Sequence, residues 1–265
     1  MHYRAKKQFG QNFLKDTVYV GRIVQSIPNV WQGEKLIEIG VGLGDLTDKL
    51  LEFYKLKAYE VDRDLCSFLG QKYNSFTISG DFELICQDVL ELPNIKGWLD
   101  DQEYVLISNL PYYIASIILL KTLRDIQCKG FVVMTQKEVA QKFCAQSKER
   151  NFCALSVITQ TLGVAQMLFD VPKEAFDPVP KVTSSVFMMR KNGNCLKEGF
   201  EEFLKICFCS PRKKLLSNLA NGYDKQSLQK LFEKLGIEDN IRAHEITTAT
   251  YHQIFENLKA EKYGK

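Results

Sequence analysis

The chain of 265 residues is short of the groups that usually carry acid–base or metal chemistry. It has three histidines, His2, His244 and His252, all near the ends. No candidate catalytic histidine is therefore in view. Eight cysteines are scattered at 66, 86, 128, 144, 153, 195, 207 and 209, and none forms a CxxC pair. That spacing gives no reason to expect structural zinc, and a chain of this length does not need disulfides, so reduced thiols in a cytoplasmic protein are expected. No apolar run approaches the roughly 18 residues of a membrane span. The basic stretch Met1 to Lys7 is not followed by an apolar signal core. Repeats and low-complexity tracts are absent.

What is present reads as an ordinary globular chain, 45% hydrophobic and 25% charged. Its length suits a main domain with a small second one. The net charge of +3 alone says little about a nucleic-acid partner. Its distribution says more: Arg4, Lys6, Lys7 and Lys15 precede any acidic residue, and Arg212-Lys213-Lys214 form a second cluster. Charge runs of this kind are more often solvated faces.

Periodicity predicts strands at 35–40, 56–61, 82–86, 104–107 and 130–134, with two more near 164–171 and 183–190. Helices are predicted at 45–54, 63–73, 115–123, 136–146 and 152–163. The alternation implies right-handed βαβ units, hence a parallel α/β sheet covered by helices on both faces. The last two strands have no obvious helix between them, so one is expected to run antiparallel at the sheet edge. After Lys191-Asn192-Gly193-Asn194 the β pattern stops, and 198–209, 212–221, 225–235 and 248–260 read as helices. The boundary is placed near 192, giving domains 1–192 and 193–265.

Ligands of open α/β sheets bind beyond the carboxyl ends of the strands. Here those ends carry Gly40, Glu60 with Asp62, Asp88 and Asn109. The turn Gly40-Val41-Gly42-Leu43-Gly44 allows close approach to backbone. An acid about 20 residues later suits ribose hydroxyls, and Asp88 could accept from an adenine amino group. The spacing is not that of dinucleotide folds, and Asp45 at the following helix start disfavours phosphate. A cofactor with a positive centre, S-adenosylmethionine, fits better. A glycine turn with an acidic cap would explain the turn alone, but not the acids on successive strand ends. The fourth strand end, Ser108-Asn109-Leu110-Pro111-Tyr112-Tyr113, joins an amide to flat rings. Asn109 and the Leu110 carbonyl could hold both hydrogens of an exocyclic amine, and Tyr112 could stack a base.

Seven segments in order carry a resemblance: GQNFL (10–14), EIGVGLGDLT (38–47), EVDRDL (60–65), QDVL (87–90), NLPYYI (109–114), QKEVAQK (136–142) and FDPVPKVTSSV (176–186). Together they resemble the KsgA-type ribosomal-RNA adenine dimethyltransferases over nearly the whole chain, and PRKKLLSNL (211–219) is similar to that family's basic C-terminal helix. Departures are Val41 for proline, Ala115-Ser116-Ile117 for a Ser-Thr-Pro run, and Pro211 for the first of two arginines. The resemblance implies a Rossmann-like class I methyltransferase domain and a small all-α domain that binds RNA. It implies cofactor contacts at Asn12, Leu14, Gly40, Glu60, Asp88 and Asn109, with Asn109, Leu110, Tyr112 and a second stacking ring, Phe176, at the target base. For Phe176, core packing is nearly as good a reading. The implied activity is dimethylation of adenine N6, on two adjacent adenines, in small-subunit (16S) ribosomal RNA within immature 30S particles, by a cytoplasmic monomer. Alternatives are a methyltransferase of large-subunit RNA or a non-catalytic assembly factor.

Overall fold

The computed structural model describes residues 6, 10–93 and 97–263, the side chains of 261–263 excepted. His2, Arg4 and Lys7 lie outside the described residues. By internal contacts the chain divides into one unit running to Ala140 and resuming at Val164–Gly193, and a second made of Gln141–Gly163 and the segment from Asn194 onward. Thus the helical stretch 141–163, which the sequence pattern leaves with the sheet, groups with the C-terminal helices.

The first unit holds a seven-stranded sheet. In chain order its strands are β2 (Lys35–Ile39), β3 (Leu56–Glu60), β4 (Phe82–Cys86), β5 (Tyr104–Asn109), β6 (Cys128–Gln136), β7 (Gly163–Val171) and β9 (Ser184–Lys191). The spatial order is β4-β3-β2-β5-β6-β9-β7. β2, β3, β4, β5 and β6 run parallel, and β9 is antiparallel to β6. The antiparallel strand therefore sits one place in from the edge, because β7 takes the edge itself. β2 and β5 are buried almost throughout, with Leu36, Ile37, Val105, Leu106 and Ile107 at or near zero exposure, as strands covered on both faces require.

The helices start where the sequence supplies caps. Asp16 caps α1 (Thr17–Gln25) by accepting from the Val18 N–H, and Asp62 caps α3 (Arg63–Lys72) by accepting from the Asp64 N–H. α2 (Asp45–Leu50) follows Gly44, whose φ of 89° is left-handed. A Cβ at Gly44 would strike the Tyr73 hydroxyl, so glycine is required there. α4 (Asn74–Ser79), α5 (Ala115–Arg124) and α6 (Lys137–Cys144) complete this part of the chain. Asp100 is held by Lys35 and Lys57 at 2.6 and 2.9 Å. Although burial opposes it, the hydrogen bonds from both lysines bring its carboxyl down to about 2.

Two elements escape periodicity because each has only two residues. β1 (Phe13–Leu14) pairs antiparallel with β8 (Phe176–Asp177), matching Leu14 with Phe176. The cysteines also depart from expectation: Cys66 on α3 and Cys86 at the end of β4 are joined as a disulfide, with Cα atoms 6.0 Å apart. The parallel pairing of β3 and β4 sets Glu60 beside Cys86, which brings the two sulfurs together. Six cysteines are free.

The second unit is helical, with α7 (Ala154–Leu162), α8 (Phe200–Cys207), α9 (Leu215–Leu219), α10 (Lys225–Leu235) and α11 (Thr248–Tyr263). His252 stacks on Phe200 with ring centroids 4.4 Å apart and bonds to Thr161 at 2.9 Å. It is a packing residue. The basic cluster does not begin a helix at 212 as predicted. Ser210 accepts from the Lys213 N–H at 3.0 Å, closing a turn with Pro211 at its second position, and α9 starts only at Leu215. Arg212, Lys213 and Lys214 are exposed on that turn. Lys214 forms a β-bridge with Arg242, also exposed.

Candidate active site

In the sheet order, β2 and β5 are neighbours, while the chain leaves β2 toward β3 on one side and leaves β5 toward β6 on the other. This reversal opens a crevice at the carboxyl ends of the strands. An open crevice, about 990 Å³ when the solvent space at its mouth is counted, lies there. It is lined by the ends of β2, β3, β4 and β5 and by residues 10–14. Asn12, Leu14, Gly40, Glu60, Asp88, Asn109, Leu110 and Tyr112 all line it. Of the residues expected at the site only Phe176 does not. It is 3% exposed, in the apolar core, with its backbone paired to Leu14.

Glu60 ends β3 and is 5% exposed. One carboxylate oxygen accepts from the Val61 and Asp62 N–H groups at 2.9 and 3.0 Å. The other accepts from the Gly42 N–H at 3.0 Å. Burial still pushes the carboxyl above its usual value, against these three donors. The side chain thus shapes the glycine turn while retaining acceptor capacity on the oxygen bound by Gly42. Gly42 has φ of 61°, and a Cβ there would lie 2.9 Å from the Phe13 ring, so the turn and residues 10–14 need glycine to fit together.

The acids are positioned in different ways. Asp88 caps the short turn after β4, accepting from the Leu90 N–H at 2.9 Å with one oxygen. Asp45, within the first turn of α2, pairs with Lys15 at 2.7 Å. Asp62 is engaged by Lys6 at 2.7 Å and by Gln11 at 3.3 Å. These contacts draw Lys6 and Gln11 onto the end of β3 and Lys15 onto the start of α2.

Asn109 donates through its side-chain nitrogen to the Asn12 carbonyl at 3.4 Å. This orients the amide with its nitrogen end toward Asn12, so its oxygen is the end left to receive a donor. Asn12 contributes its backbone to that bond, while its side chain closes a local turn onto the Gly10 carbonyl at 3.0 Å. Leu110 is fixed by its N–H to the Met134 carbonyl at 3.0 Å. Tyr112 is half-buried, and its hydroxyl bonds to Ser184 at 2.5 Å. Tyr113 is 57% exposed at the cavity wall.

Sequence reasoning missed Glu38. It is 1% exposed in β2, lines the cavity, and accepts from the Thr47 hydroxyl at 2.6 Å. Burial, aided by nearby Glu60 and Asp48 and opposed by the Thr47 bond, pushes its carboxyl up to about 8. An acid inside an apolar strand directly before a glycine turn was the available signal. The polar and apolar lining, an acid near each of three strand ends and the turned Asn109 amide suit a nucleoside bearing a cationic amino acid. No phosphate-type cradle is formed, since Asp45 and Asp48 occupy the start of α2.

The comparisons agree with this architecture. A family model described as ribosomal RNA adenine dimethylase matches residues 2–260. The chain is 52% identical over 263 residues to ribosomal RNA small subunit methyltransferase A of Helicobacter hepaticus, covering 97% of this chain and 92% of that one. It is 44% identical to the protein of the same name from Campylobacter hominis, covering 97% of each. Among solved structures it resembles the 23S rRNA methyltransferase ErmE, with a TM-score of 0.72 and 22% identity, over 94% of this chain and all of that one. It also resembles a dimethyladenosine transferase from Plasmodium falciparum, with a TM-score of 0.75 and 21% identity, over 95% and 98% of the two chains. At these identities the two structures speak for the fold.

Proposed function

The chain belongs to the ribosomal RNA adenine dimethylase family, and from that membership we propose that it dimethylates N6 of adenines in small-subunit ribosomal RNA, with S-adenosylmethionine as donor. The observation that carries the reading is the shared cavity: the ribose-type carboxylate Glu60, the acid Asp88 and the amide–carbonyl pair of Asn109 and Leu110 all line one crevice.

The donor supplies a methyl group made electrophilic by its sulfonium. The protein supplies placement. Glu60 accepts from ribose hydroxyls with the capacity its three backbone donors leave, and Asp88 accepts from the adenine amino group with the oxygen not used as a cap. Gly40 permits close approach, and Leu14 lines the same wall.

The target adenine must leave its stack to enter the site, which is easiest from unpaired RNA. Its exocyclic nitrogen is a poor nucleophile because the lone pair is shared with the ring. The Asn109 oxygen and the Leu110 carbonyl accept its two hydrogens, favouring a pyramidal nitrogen whose lone pair is free. Tyr112 stacks the base, an interaction worth roughly 1–3 kcal/mol. The attacking nitrogen is neutral, so no general base acts before transfer, and the proton leaves to water afterwards. The exposed turn Arg212-Lys213-Lys214, with Arg242 joined to it, contacts phosphates, which set affinity rather than sequence choice. In this reading residues 1–192 hold the cofactor and target base, and 193–265 serve RNA binding.

The protein acts as a cytoplasmic monomer on immature small subunits, at two adjacent adenines. Among the described residues no helix is long and apolar enough to cross a membrane. Transfer of labelled methyl to purified immature small subunits tests the reading. Four methyls per particle on small-subunit RNA are expected. Labelling of large-subunit RNA instead, or of neither, would overturn it.

A further inference from the structure

Tyr112 stands in the turn between β5 and α5, while Ser184 begins β9, 72 residues away. The two ends of their hydrogen bond are held very differently. Ser184 is fully buried, and its backbone sits in the antiparallel ladder opposite Gln136. On one side of it, the Thr183 carbonyl accepts from the Lys137 N–H at 3.0 Å. On the other, the Ser185 hydroxyl donates to Asp170 at 2.6 Å, and Asp170 is paired with Lys137 at 2.5 Å. The start of β9 is thus fixed by the sheet and by a side-chain network.

The turn carrying Tyr112 has fewer restraints. Its neighbours are tied through the Leu110 N–H to Met134 and the Ile114 N–H to Pro111. A tyrosine ring on such a turn can swing about its side-chain torsions unless its far end is held. A buried hydroxyl is also costly to leave without a partner. The Ser184 hydroxyl meets both needs from a rigid strand.

We propose that Ser184 is a positioning residue for methyl transfer, its hydroxyl holding the Tyr112 ring in the orientation that stacks the target adenine. The proposal rests on Tyr112 being the stacking platform.

Three variants test it: Ser184→Ala, Tyr112→Phe, which removes the same contact from the turn without altering the strand, and the double variant. The measurements are single-turnover methyl transfer on immature small subunits at saturating S-adenosylmethionine, and quenching of 2-aminopurine placed at the target position of an RNA fragment. Each single variant should slow transfer about tenfold, the scale of one lost buried hydrogen bond. Cofactor affinity should hold, and 2-aminopurine quenching should weaken. The double variant should be no slower than either single one, because both remove one interaction. Ser184→Thr, which keeps the hydroxyl, should restore quenching. Wild-type transfer and quenching in Ser184→Ala, or losses that multiply in the double variant, overturn the proposal. Wild-type transfer in Tyr112→Ala instead overturns the stacking role on which it rests.

Discussion

Replacing Glu38 by Gln should change how stability depends on pH, because this carboxyl is buried in β2 and held near 8. An unfolded chain ionises the same group at the ordinary carboxylate value of 4.5. Between these values the native protein binds a proton that the unfolded chain has released. Stability from the neutral form is therefore complete below about 4.5 and declines as pH rises toward about 8. The slope is roughly 1.4 kcal/mol per pH unit. From pH 5.5 to 7.5 the wild type should lose roughly 2 to 3 kcal/mol relative to a variant that cannot ionise there. Glutamine keeps an oxygen to accept from the Thr47 hydroxyl, so the packing is preserved. Asp100, held near 2, gives up its contribution only below about 3.8 and stays constant in this window. His252, which burial lowers, acts in the opposite sense but cancels in the difference between the two proteins. Urea unfolding at pH 5.5, 6.5 and 7.5 measures that difference. Parallel curves for wild type and Glu38→Gln would show that burial does not hold this carboxyl protonated. A cationic cofactor should also favour ionised Glu38. Its binding near pH 7 should then release a proton, visible as a buffer-dependent heat in calorimetry that disappears in the variant.

Four further outcomes are expected. Asn109→Ala should reduce single-turnover methyl transfer by orders of magnitude while particle binding persists, since an acceptor for a pyramidalising amine acts in the transition state; a rate within a few-fold of wild type would sink the amine clamp. Glu60→Ala should weaken S-adenosylmethionine binding by roughly 1.5–3 kcal/mol, and because Glu60 also anchors Gly42 the cavity should lose protection in hydrogen exchange there; unchanged affinity in calorimetry removes it from the site. Changing Arg212, Lys213 and Lys214 together to Ala should weaken RNA binding and flatten its salt dependence without touching cofactor affinity, whereas an unaltered slope would make the turn a solvated face. Alkylation of the unfolded, unreduced protein should label the six free cysteines and spare Cys66 and Cys86; mass spectrometry showing eight labels would contradict the pairing.

Local pattern suffices for the alternation of strands and helices, the end of the β pattern near 192, and the strand-end residues of the cavity wall. The reason is the parallel sheet. Once consecutive strands run the same way, their carboxyl ends must fall on one edge, so Gly40, Glu60, Asp88 and Asn109 had to meet although they are far apart in the chain. Each is legible from the few residues around it, because a strand end is a local event. Tertiary structure decided what depends on pairs without local pattern. β1 and β8 are two residues each, too short for any period, yet their pairing buries Phe176 and brings residues 10–14 to the cavity. The disulfide of Cys66 and Cys86 follows from the register of β3 with β4, and the bond from Tyr112 to Ser184 from the insertion of β9 between β6 and β7. The basic turn at Arg212 arose because Pro211 shaped a turn where the pattern alone began a helix. Helical period marks 136–146 and 152–163 as helices, but only packing could assign 141–163 to the C-terminal unit, since periodicity shows that a face must be buried and not which surface buries it.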